Sequence, residues 1–295
     1  MSAFVLIQSD LGILPNLDVF LTSPNTTPSF ASSAGAFLGQ FLRGLHAAFD
    51  GTPKVIKDEL RQTFANDQGE TVLCEVIQNT IGFMSDAGVK DHTVLGNRAH
   101  ENWTRRERTV FGQGDIWFGT ILVGVEDGKV ALGICDWEFA GFNHPAGDIG
   151  QLGQDALFFC GMHDTFCLQF PISNAGSYLH LLSMSPLVTP STQTILRSFS
   201  SALYSSYFRQ PHIPLCAEFQ RSLVIMHAWE MINAAAWRHE LWCSCPGTGV
   251  KCEHILEMVR VGARLLRAAG DGNTDEQIDW EVLKDVYWCT YLKFE

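Results

Sequence analysis

The sequence predicts a predominantly helical α+β fold, and three observations predict it. Apolar residues recur at three- and four-residue spacing over long stretches, at 33 to 49, 70 to 87 and 219 to 241. Two short β-like runs, 120 to 125 and 129 to 135, are joined by Glu126-Asp127-Gly128, a hairpin-turn signal. No Pro/Ser-rich linker interrupts the middle of the 295 residues, so a single domain is expected.

Taken in order, residues 3 to 12 form an apolar run closed by Asp10-Leu11-Gly12 and read as a strand. Residues 13 to 30 read as a loop, with a mobile polar stretch over 21 to 29. The helix over 33 to 49 places Phe37, Leu38, Phe41, Leu42, Leu45 and Phe49 on one face behind Ser32 and Ser33, and ends by Gly51-Thr52-Pro53. A second helix over 70 to 87 aligns Val72, Leu73, Val76, Ile77 and Ile81. After the hairpin come helices over 149 to 160, 191 to 208 and 219 to 241, the last carrying Leu223, Met226, His227, Glu230, Ala234, Trp237 and Leu241. Gly247-Thr248-Gly249 breaks the chain before helices over 252 to 268 and 278 to 291.

Composition narrows the function. A formal charge of −12 argues against a nucleic-acid partner, because phosphate backbones are bound by clustered Lys and Arg. The one basic cluster, Arg105-Arg106-Glu107-Arg108, is interrupted by an acid and reads as a solvated face. No run reaches the length of a membrane helix, and the first residues lack the basic start of a secretory signal, so a cytoplasmic location is expected. Nine scattered cysteines suit reduced intracellular thiols. Cys243, Cys245, Cys252 and His254 supply three thiols and an imidazole, yet C-x-C and C-x-H are tighter than the usual zinc spacings. That segment reads as a Cys-rich loop packed on helices, with zinc as the alternative.

The chemistry concentrates at the hairpin. Asp115 and Asp136 stand at the ends of short apolar runs about twenty residues apart. One carboxylate on a loop can orient or deprotonate a hydroxyl, while a second at a strand end holds a metal against phosphate oxygens. Gly114-Asp115 followed by Gly119 resembles the catalytic loop of the aminoglycoside phosphotransferase and choline kinase-like family, written H-G-D-x-x-x-x-N. Ile134-Cys135-Asp136-Trp137-Glu138 is similar to that family's metal-binding segment, and the stretch from Gly141 to Asp148 to its G-x-P-x-x-D. The resemblance implies that residues 1 to 295 form one protein kinase-like helical lobe. Residues 1 to 12 are its hinge-like strand, 13 to 30 a loop and 33 to 295 the helical lobe, and the N-terminal β lobe that covers ATP is missing. It also implies that Asp148 braces the catalytic loop from behind.

The departures matter as much. Gln113 stands where the family has His, and Thr120 where it has the Asn that helps bind metal; a hydroxyl is a poorer match than an amide carbonyl for a hard cation. Two enzyme readings follow. In one, Asp115 positions or deprotonates an acceptor hydroxyl and Asp136, weakly assisted by Thr120, binds Mg²⁺ in an ATP-dependent small-molecule phosphotransferase. In the other, the lobe has lost nucleotide chemistry and needs no cofactor. Asp115, Asp136 and Glu138 then handle protons in an isomerase or cyclase of secondary metabolism acting on a hydroxylated or carbonyl-bearing small molecule. Gln113, Trp117, Trp137 and His144 are the expected substrate contacts. A third reading is a non-catalytic pseudokinase that binds a small molecule or forms a homodimer through the surface left bare by the missing lobe.

Overall fold

Thr27-Pro28 begins a long early helix: Thr27 Oγ1 accepts the Phe30 N–H at 3.2 Å, and Pro28 occupies the first turn, where its missing N–H has no intrahelical partner to lose. The computed structural model describes residues 13–105, 107–152, 189–209, 217–237, 253–270, 278–279 and 281–283. Five helices come first: α1 (Leu17–Thr22), α2 (Pro28–His46), α3 (Lys54–Thr63), α4 (Asp67–Asp86) and α5 (His92–Arg105). Four short strands follow, β1 (Val110–Gly112), β2 (Ile121–Glu126), β3 (Lys129–Ile134) and β4 (Gly141–Asn143), and then α6 (Ala146–Leu152), α7 (Pro190–Tyr207), α8 (Ala217–Trp237) and α9 (Glu253–Ala268). The fold is therefore α+β and mostly helical. The expected strand over 3 to 12, most of the helix over 278 to 291, the helix over 149 to 160 beyond Leu152, and the thiols at Cys243, Cys245 and Cys252 with the His254 side chain lie outside the described residues.

The hairpin forms as expected. β2 and β3 pair antiparallel from Ile121↔Ile134 to Glu126↔Lys129, and Asp127 and Gly128, both at positive φ, make the tight turn that matches strand twist. A second antiparallel pair was not foreseen: β1 and β4 align Val110↔Asn143, Phe111↔Phe142 and Gly112↔Gly141. Three-residue strands carry too few alternations to be read from pattern alone. Together the two pairs bring the chain on either side of Asp115 against the chain on either side of Asp136.

Helices differ from expectation where their buried faces are made of small residues. α2 starts earlier than read, and its inward stripe is Ala31, Ala34, Gly35, Leu38, Gly39, Leu42 and His46, while Phe37 and Phe41 lie 48% and 37% exposed. The reason is close approach to α7. A Cβ on Gly35 would sit 2.1 Å from the Phe199 carbonyl oxygen, and one on Gly39 2.1 Å from that of Leu203. α5 was missed because it buries Leu95, Gly96, Ala99 and Trp103, of which only two are large. α3 buries none of its residues, and its short apolar face, Val55, Ile56 and Leu60, stays partly or fully exposed. The supposed loop over 13 to 30 contains α1, whose Leu17, Phe20 and Leu21 are buried; Pro15 extends it onto the hairpin by accepting the Val123 N–H at 2.9 Å.

α8 is apolar on all sides and packs against α4, α5, α6 and α9. Leu223, Met226, Trp229 and Ile232 are buried there, each such side chain stabilising the fold by about 1.5–3 kcal/mol. The Trp103 and Trp229 rings meet edge-on at 6.3 Å. Among the described residues no helix is long and apolar enough to cross a membrane. In the basic cluster, Arg105 pairs with Glu101 and Arg108 with Glu70, as a solvated face would.

Candidate active site

The loop from Gly112 to Asp115 is held from behind by one buried carboxylate. Asp148, in the first turn of α6 and 1% exposed, accepts the Gln113 N–H at 2.9 Å and the Gly114 N–H at 2.8 Å. His46 Nε2 lies 3.1 Å from its Oδ2, and the other ring nitrogen is 2.6 Å from the Tyr207 hydroxyl. Burial alone would raise the Asp148 pKa. The bond and charge of His46 and the two backbone N–H groups outweigh it and hold the carboxyl below its usual range. Burial, and then the Asp148 charge, push the Tyr207 phenol well above its ordinary value, so it stays neutral beside the His46 ring.

Gly114 adopts φ +89°, and a Cβ there would come within 2.3 Å of the Phe139 carbonyl oxygen. The catalytic loop and the segment after Asp136 thus touch through backbone. Gly114→Ala is expected to destabilise the chain by about 2–4 kcal/mol, combining left-handed strain with forced displacement of Phe139. Urea unfolding measures this, and a loss below about 1 kcal/mol would show that the two loops separate freely.

Gln113 is the second tie. Its side-chain nitrogen donates to the Asp136 carbonyl at 2.6 Å and the Cys135 carbonyl at 3.2 Å, and its oxygen accepts the Asp115 N–H at 2.8 Å. At 0% exposure its side chain is committed to these backbone groups. A neutral amide here links the two carboxylate loops because it offers donors and an acceptor at once.

Thr120 is turned inward as well. Its hydroxyl donates to the Trp117 carbonyl at 2.9 Å and accepts the Trp117 N–H at 3.0 Å, closing the turn that carries Asp115 into β2. At 1% exposure, and committed to this turn, it does not fit the role of Mg²⁺ ligand that its alignment with a family Asn implied. The donors left to a cation are the exposed carboxylates of Asp136 and Glu138. Among the described residues no group of three or more His, Cys, Asp or Glu side chains is arranged to hold a metal ion.

Asp136 sits in the left-handed region at φ 62°, ψ 57°, a conformation Asp tolerates better than most residues and one that clusters at functional sites. The turn over Trp137–Phe139 follows it, and Asn66 pins that turn by donating to the Glu138 carbonyl at 2.6 Å while capping α4 through Gly69. Trp137 is fixed from two sides: its indole N–H donates to Ile134 O at 3.0 Å, and its ring meets Phe41 edge-on at 6.1 Å. The Trp117 ring lies over Gly119, so near that a Cβ would be 2.3 Å away. His144 accepts the Ala146 N–H at 3.1 Å, capping the start of α6, and stacks on Phe219.

These ties leave Asp115 as the group with chemistry to spare. Its carboxylate accepts no hydrogen bond among the described residues, whereas its backbone is held on both sides. Burial and then the charges of Asp136, Glu138 and Asp148 raise its pKa to about 6.

One residue escaped the sequence reading. Gln151 on α6 accepts the Ile116 N–H at 3.1 Å and donates to Glu230 on α8 at 2.8 Å. Glu230 is 4% exposed, and burial, offset by the Gln151 bond and reinforced by the Asp115 charge, lifts its pKa to about 8. An acid within the apolar run Leu223 to Ala234 was the available signal. Comparison of the chain with protein-family models and with curated proteins gives no match.

Proposed function

We propose that this chain is an acid/base enzyme on a lobe resembling the aminoglycoside phosphotransferase and choline kinase-like family, repurposed for nucleotide-independent isomerisation or cyclisation of a small molecule. The observation that carries the reading is Asp115: a carboxyl raised to about 6 on a backbone clamped by Asp148 and Gln113. A group half-protonated near neutrality takes a proton from one substrate atom and returns it to another with little energetic penalty in either direction. Burial, reinforced by the negative field of Asp136 and Glu138, keeps the proton on Asp115 at pH 5 to 6, and a hydroxylated or carbonyl-bearing substrate suits such a donor and acceptor.

The test is a panel of such compounds incubated with the protein in D₂O and followed by mass spectrometry and NMR. Isomers or ring-closed products carrying solvent deuterium are expected, and Asp115→Asn is expected to reduce their rate at least a hundredfold while unfolding as wild type does. Undiminished turnover in that variant would remove Asp115 from the chemistry.

A second reading, an ATP- and Mg²⁺-dependent small-molecule phosphotransferase, is favoured by the Asp148 brace that the resemblance implies and by the meeting of the two carboxylate loops. ATP and Mg²⁺ would serve as cosubstrate and charge-neutralising ion; the inward Thr120 hydroxyl weakens this reading. Calorimetric titration of ATP with Mg²⁺ separates the two. Saturable binding supports phosphoryl transfer, and its absence with deuterium incorporation supports the first reading.

A further inference from the structure

Behind the Asp115 loop runs a buried polar chain that the preceding chemistry does not use. It starts at the Ile116 N–H, passes through the Gln151 carboxamide and ends at the Glu230 carboxyl on the central helix α8. All three residues are buried, Ile116 at 0%, Gln151 at 2% and Glu230 at 4% exposure. An ionised carboxylate this deep needs a cation or several donors. Among the described residues Glu230 has no cation and only two amide donors, the carboxamides of Gln151 from α6 and Asn233 from its own helix, and the charged group that reaches it is Asp115, of like sign.

Asn233 supplies the complementary observation. Its Oδ1 is buried without a hydrogen-bond partner, while its side chain lies within bonding reach of Glu230 one helical turn earlier. A carboxylic acid has an O–H to give, and a buried amide oxygen without a donor is a place to give it. Half a turn of the Asn233 amide, which now donates to Glu230, brings its oxygen to that carboxyl to receive the proton.

We infer that Glu230 is a neutral carboxylic acid that positions the Asp115 loop, donating its proton to Asn233 and fixing Gln151 in the orientation that receives the Ile116 N–H. The inference rests on Asp115 being the working group of the site, but its own geometry stands without that. Glu230 acts through Gln151 and not on substrate. Its neutrality also has a functional consequence: a second charge behind Asp115 would drive that carboxyl's pKa further up and leave less of it ionised at neutral pH.

The experiment is a carbon-13 NMR titration of side-chain carboxyls in the full chain, run on wild type, Glu230→Gln and Glu230→Leu, with hydrogen exchange of the Ile116 amide. Glu230 is expected to titrate near 8 and Asp115 near 6 in wild type. Glu230→Gln, which mimics the neutral acid, removes the upper transition, leaves the Asp115 midpoint in place and keeps Ile116 protected. Glu230→Leu frees Gln151, shifts the Asp115 midpoint and speeds Ile116 exchange at least tenfold. A wild-type Glu230 midpoint in the ordinary carboxylate range overturns the inference, and so does Ile116 exchange in folded Glu230→Leu that matches wild type. The wild-type titration decides even if the Leu variant does not fold. An ordinary Asp115 midpoint beside a raised Glu230 would instead count against the proposed acid/base function.

Discussion

Asp148→Ala is expected to lower the unfolding free energy by about 3–5 kcal/mol, enough to unfold much of a marginally stable domain at room temperature. The carboxylate accepts two loop N–H groups and a histidine ring while 1% exposed. Truncation leaves the Gln113 and Gly114 N–H groups and His46 buried beside a void, and each orphaned group carries its full desolvation penalty. Urea unfolding checks the magnitude. The paired variant His46→Ala with Asp148→Ala should be less destabilised than the sum of the singles, since the second change removes a partner already stranded. The pH dependence has a definite sign. A carboxyl whose folded pKa is depressed contributes stability above its unfolded value, near 3.9, and loses it as pH falls through the folded value. Wild type and variant should therefore differ most at neutral pH and converge in acid. A difference below about 1 kcal/mol at pH 7 would mean the loop holds its shape without the brace.

What was legible in the sequence divides along physical lines. Long helices with large apolar residues were readable, as α4, α7, α8 and α9 were to within a few residues at the described ends, because burial of many large side chains leaves a period. Helices packed through small residues were not: the α2 face turns on Gly35 and Gly39 meeting the α7 backbone, which no hydrophobicity pattern records. At the site, Asp115 and Asp136 were singled out because phosphoryl-transfer chemistry needs carboxylates at that spacing, and Asp148 because of the family resemblance. What the sequence does not record is which polar side chains bond to backbone groups. Gln113, Thr120 and His144 look like ligands in a motif, yet each is bonded to main-chain N–H or C=O groups that only the folded loops bring near. Glu230 was hidden for the opposite reason, since its partner Gln151 is 79 residues away and neither belongs to a motif.

Glu230→Gln is expected to stabilise the protein by about 3 kcal/mol at pH 7 and to leave it unchanged near pH 4. A buried carboxyl with a folded pKa of about 8 against 4.5 as its ordinary value binds a proton on folding throughout that window. Stability from this group is complete below 4.5, declines by up to about 1.4 kcal/mol per pH unit as pH rises, and flattens above 8. An amide cannot ionise and carries no such loss, while its –NH₂ still reaches the Asn233 oxygen and its own oxygen still accepts from Gln151. Thermal and urea unfolding from pH 4 to 9 should show the two proteins diverging only above about pH 4.5. An equal gain at pH 4 and pH 8 would trace the effect to packing and would detach it from the proton. A loss at all pH values would mean that α8 needs a charge at this position. Asp115, with its folded pKa near 6, adds a second decline of the same sign between 3.8 and 6, so Asp115→Asn should flatten the lower part of the curve and Glu230→Gln the upper part. Two acids with raised pKa values, one at the loop and one directly behind it, each lower the stability at neutral pH, which is a cost that selection for stability alone would remove.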